Sequence, residues 1–131
     1  MKLSEHKDLK KEILLLPPTE KDKLLLRLVA RDKVLTEHLH FLLLEDEVNL
    51  HERVTSIKEE IKKNEANFSI AKDLLLNLRK QLRVINHFVK VTKANFEEVE
   101  LRIFLLNHTT TTIKTKSYSS SKNYEQLFNV F

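Results

Sequence analysis

The sequence predicts an all-α protein, and three observations carry that prediction. The 131-residue chain has no glycine, where average usage gives about nine. Its only prolines are the adjacent pair Pro17 and Pro18, and apolar residues recur at alternating steps of three and four over much of its length. Glycine supplies the positive backbone angles of tight hairpins and lets the main chain approach phosphates, so its absence excludes nucleotide-cradling loops and most compact β folds. The absence of cysteine excludes disulfide scaffolds, thiolate zinc sites, iron–sulfur clusters and cysteine nucleophiles.

The expected architecture is an antiparallel helical bundle, or a long helical hairpin, with heptad-like packing over residues 1–106. A Ser/Thr-rich basic tail with a terminal aromatic anchor follows over 107–131. A first short helix is expected over about Ser4–Leu16, with Leu9, Ile13 and Leu16 on one face, ended by the proline pair. Thr19 is the expected cap of a second helix over about Glu20–Leu44. Its many leucines leave only Lys23, Arg27, Arg31 and His38 as a narrow polar stripe, which places this helix at the centre of a bundle. Residues 32–52 are the least regular part of the body, with room for a turn or a bent helix.

Asn49 and Glu52 offer a capping pair for a third helix. From there Leu50, Val54, Ile57, Ile61, Asn64, Phe68, Ala71, Leu75, Leu78, Leu82, Ile85, Val89, Thr92, Phe96, Val99, Ile103 and Leu106 keep a heptad rhythm, apolar except at Asn64 and Thr92. One long helix in an intermolecular coiled coil and a hairpin turning back near Asn64–Ser69 both fit. A parallel coil would face Arg53 with Lys58 and Glu60 with Glu65, and Leu74 and Phe88 widen the seam, so the bundle is favoured. Asn95 with Glu98 offers a second break, left open. Leu82, Ile85 and Val89 are expected among the most buried residues. Past Leu106 the sequence NHTTTTIKTKSYSSSKN reads as a linker, with a β-prone edge segment as the alternative.

Net charge is +4, but its placement limits what it implies. Between Leu101 and Phe131 the bases are Arg102, Lys114, Lys116 and Lys122 and the only acid is Glu125, so the excess sits in the last quarter and the body is near neutral. No apolar run reaches the ~20 residues of a membrane span, and the N-terminal residues lack a signal-peptide pattern. The expected location is therefore the cytoplasm, away from membranes.

Four constellations were candidates for function. Glu37 and His40 have the Glu-x-x-His spacing of di-iron bundles, but no second copy exists, and Glu47 with His51 supplies only a pair, so neither metal nor cofactor is expected. Lys72, Arg79, Arg83, Lys90 and Lys93 fall on one helix face and would track phosphates if the chain binds nucleic acid. Tyr124, Leu127, Phe128 and Phe131 stand at i, i+3, i+4 and i+7, gathering three aromatics and a leucine as a partner-binding anchor, docking in cis or in trans.

The fourth is Arg102 followed after five residues by His108. This spacing resembles the Arg-x4–6-His motif of the HEPN superfamily, whose members are all-helical, often dimeric, and in many cases metal-independent ribonucleases. The resemblance implies Arg102 and His108 as a catalytic pair. Taken together, the sequence favours a non-enzymatic helical interaction or scaffold protein that self-associates and has no small-molecule substrate. A nucleic-acid-associated adaptor is the alternative, and a HEPN-like ribonuclease the third reading.

Overall fold

The computed structural model describes residues 2–63 and 71–115, and every regular element among them is helical. A single 3-10 turn at Leu3–Glu5 precedes α1 (Lys7–Leu15), α2 (Pro18–Arg31), α3 (Lys33–Leu44), α4 (Glu47–Lys63), α5 (Ala71–Thr92) and α6 (Asn95–Thr115). The chain divides into two compact units, Met1–Glu37 and His38–Phe131.

In the first unit the proline pair acts as expected on α1 but differently on α2. Leu16, the residue before Pro17, turns to ψ 143 and ends α1, as the clash with a following proline ring requires. Pro18 then opens α2 at its first position and no side chain caps that end, so Thr19 is inside the helix rather than its cap. Proline suits this place because its missing N–H would lack a helical partner there anyway.

The single helix expected over Glu20–Leu44 is in fact two. Asp32 leaves helical geometry at φ −118 and accepts a hydrogen bond from the Leu35 amide at 3.0 Å, capping α3. The Thr36 hydroxyl lies 2.7 Å from the Val29 carbonyl and 2.9 Å from that of Asp32, bridging the two helix ends. A second correction concerns burial, for α2 and α3 contain no buried residue.

The core belongs to the second unit. Val54, Ile57 and Ile61 of α4 meet Leu74, Leu75, Leu78, Ile85 and Phe88 of α5 and Leu101 and Leu105 of α6 in one cluster. The three helices pack pairwise. Asp46 caps α4 reciprocally with Asn49: each backbone amide donates to the other's side-chain oxygen, at 3.0 and 3.1 Å. Asn49 thus holds the third helical position, not the cap expected of it. Of the three residues expected deepest, Ile85 is fully buried, while Leu82 and Val89 pack partly buried against the core.

The open break near Asn95 is present. Thr92 ends α5, and Lys93 adopts φ 56, a left-handed conformation that glycine would normally take. The Thr92 hydroxyl donates to the Phe88 carbonyl and accepts from the Ala94 amide, stitching the joint. α6 folds back along α5 so that Arg102 reaches Asn86 at 2.7 Å. It also runs on through Thr115, past Leu106, where composition had indicated a linker. Thr110, Thr111 and Thr112 donate their hydroxyls to carbonyls four residues back, and Thr109 and Thr112 are buried.

Candidate interaction surfaces

A polar cluster of three side chains lies where α3 passes into α4. Glu45 accepts two hydrogen bonds from Arg53, Nε to Oε1 and Nη2 to Oε2, both at 2.7 Å. His40 Nδ1 adds a third at 2.9 Å. The Arg53 guanidinium also sits 5.7 Å from the Phe41 ring centroid. The Arg53 hydrogen bonds, with a smaller contribution from His40, outweigh desolvation and hold the Glu45 carboxyl at about 2 instead of about 4.5. An open cleft of about 400 Å³ adjoins this cluster, with Ile57, Val84 and Phe88 among its apolar residues and Glu52 and Ser56 among its polar ones. Sequence reasoning missed the cluster because an eight-residue spacing across a turn matches no helical period.

Of the five basic residues assigned to one stripe, Lys72, Arg79, Arg83 and Lys90 lie on α5 and are exposed. Lys93 is exposed too, but it belongs to the joint after the helix, so it departs from that face.

Arg102 and His108 share α6 without converging. Six residues apart, their side chains leave the helix in directions about 120° apart and about 9 Å along its axis. The Arg102 guanidinium is engaged by Glu98, at 3.0 Å, and by Asn86, and the His108 ring stacks on Phe104 with centroids 6.2 Å apart.

The heptad rhythm holds through α4 and α5 and then changes phase. Beyond Lys93 the expected seam residues Phe96, Val99, Ile103 and Leu106 are exposed, Phe96 by 78%, and the inward positions are Leu101, Leu105, Thr109 and Thr112. α6 is therefore apolar on two opposite faces, one against the core and one facing outward. Two non-helical residues at the joint reset which face of the returning helix meets α5, and no periodicity in the sequence encodes that reset.

Tyr124, Leu127, Phe128 and Phe131 lie outside the described residues. Among the described residues no three His, Asp or Glu side chains are grouped to hold a metal ion. His40, of the Glu37–His40 pair, is turned to Glu45. No described helix is long and apolar enough to cross a membrane.

These features define an all-helical protein whose prominent surfaces are apolar helix faces. Comparison with known proteins finds no matching family, no matching curated protein and no matching solved structure.

Proposed function

We propose that this chain is a non-enzymatic helical interaction protein that self-associates, the α1–α2 unit of one copy packing against that of another. One observation carries the reading. The first unit buries no residue among those described, yet it exposes Leu3, Leu9, Leu14, Leu15, Leu25, Leu26 and Leu28. Burying a leucine side chain is worth about 1.5–3 kcal/mol, so this unit leaves most of its available stabilisation unused. A segment below about 40 residues needs disulfides, metal or association to hold its shape. The chain has no cysteine, so disulfides cannot supply that support, and association with a second copy is the route proposed.

The directions of the leucines support a second copy as the occupant. Leu25, Leu26 and Leu28 span about 160° of the α2 circumference at 100° per residue. A second copy supplies apolar neighbours to the sides of these helices that their own unit leaves open. In the second unit, heptad-type bundle packing of α4, α5 and α6 supplies the folded body on which these helices are carried. The engagement of Arg102 by Glu98 and Asn86 supports a structural role for that residue over a catalytic one.

The test is the mass of the full chain by light scattering. The expected result is twice 15.5 kDa or more, falling to the single-chain mass in the double variant Leu25→Lys, Leu28→Lys with its helical circular dichroism retained. A single-chain mass for the unsubstituted protein at its highest soluble concentration overturns the proposal.

A further inference from the structure

We infer that the outward apolar stripe of α6 is the docking site of the chain's own Tyr124–Phe131 segment, folded back over it in cis. The stripe consists of Phe96, Val99, Ile103 and Leu106, exposed by 78%, 56%, 52% and 39%. It lies on residues other than those proposed for self-association, so the two proposals stand separately.

Three quantities select this occupant. The first is size: four side chains fall far short of the ~800 Å² and twenty or more residues that each partner of a specific dimer buries. A short apolar segment matches them better. The second is length. Phe96 to Leu106 spans about 15 Å of helix, and the eight residues Tyr124 to Phe131 cover from about 10 Å, were they helical, to about 25 Å, were they extended, so the segment is long enough to lie along the stripe.

The third is the tether. α6 is the element from which the segment extends, and Thr115 is its last described residue. The nine residues from there to Tyr124 reach up to about 30 Å when extended. Leu106 lies only about 14 Å back along α6 from Thr115, so the segment reaches the near end of the stripe with slack for the turn. A connection of nine residues keeps the segment at a local concentration of order millimolar around its own α6, above that of the same segment on an unassociated molecule at micromolar protein.

The docked segment would cover the rings and leucine that the sequence concentrates at 124–131 and the apolar face left open by the joint at Lys93. Each surface thereby shields the other from non-specific association.

Because the chain has no cysteine, the test is disulfide trapping in the full chain. Ile103→Cys is combined with Phe128→Cys, and the control pair is Glu97→Cys with Phe128→Cys, since Glu97 lies well round the same helix from the stripe. The stripe pair is expected to form an intrachain disulfide, seen as a loss of two hydrogens by mass. Its rate should be independent of protein concentration and at least about tenfold that of the control, as a held segment requires over a merely tethered one. A predominantly interchain disulfide assigns the stripe to another copy's segment and overturns the inference. Equal rates for the two pairs, or no disulfide in either, overturn it as well.

Discussion

Gln81 is fully buried on α5, and neither its Nε2 nor its Oε1 has a hydrogen-bond partner among the described residues. A buried amide left in this state costs about 1–3 kcal/mol relative to an apolar side chain of similar size. Gln81→Leu is therefore expected to raise stability by about 1–3 kcal/mol, read as a higher urea midpoint, while a lower midpoint would show that the carboxamide is satisfied in solution. Glu45 makes the opposite case, a carboxylate held by three hydrogen bonds. Its folded-state value of about 2 lies below the ordinary value of about 4.5. Its contribution is thus complete above about pH 4.5 and is lost as pH falls toward about 2. The stability difference between the natural chain and Glu45→Gln should shrink across that window, and a difference that stays flat would show that the Arg53 pairing contributes nothing. Neither residue stood out in the sequence, because Gln81 lies between Leu78 and Leu82 as an ordinary polar position and Glu45 reads as part of an acidic run.

At the scale of the element, the helices divide by how they begin and end. α4 and α5 were legible over Leu50–Ile61 and Leu75–Val89 because a heptad pattern within one helix states directly which side is buried. α6 was not, because its inward face depends on the two residues before it. The threonine run hid its length: threonine has middling helix propensity and fits strands equally well. What fixes it here is tertiary, the burial of Thr109 and Thr112 and the packing of Ile113 against the core. The joint itself is strained. Lys93 sits at φ 56, a conformation that costs a residue with a Cβ about 1–2 kcal/mol. Glycine relieves that cost but adds freedom to the unfolded chain, so Lys93→Gly is expected to gain about 0.5–1 kcal/mol. A rise of the thermal midpoint checks this, and a fall would show that the lysine side chain contributes more than its backbone costs.

At the scale of the whole molecule, the helical class was readable from composition and the split into two units was not. Leucine spacing in α2 shows which faces favour burial and says nothing about where the covering surface comes from. The break at Asp32 likewise carries no proline or glycine, only an aspartate whose capping role shows once Leu35 donates to it. The short joint at Lys93 and Ala94 has a larger reach than its length suggests, since each residue added or removed there turns α6 by about 100°. Its two apolar faces stand roughly 160° apart, so a change of two residues, about 200°, nearly exchanges them. Phe96, Val99, Ile103 and Leu106 would then turn toward the core while Leu101 and Leu105 faced outward. The surface this helix shows is accordingly encoded in the length of a connection, and a small insertion could give descendants of this sequence a new exterior without one apolar substitution.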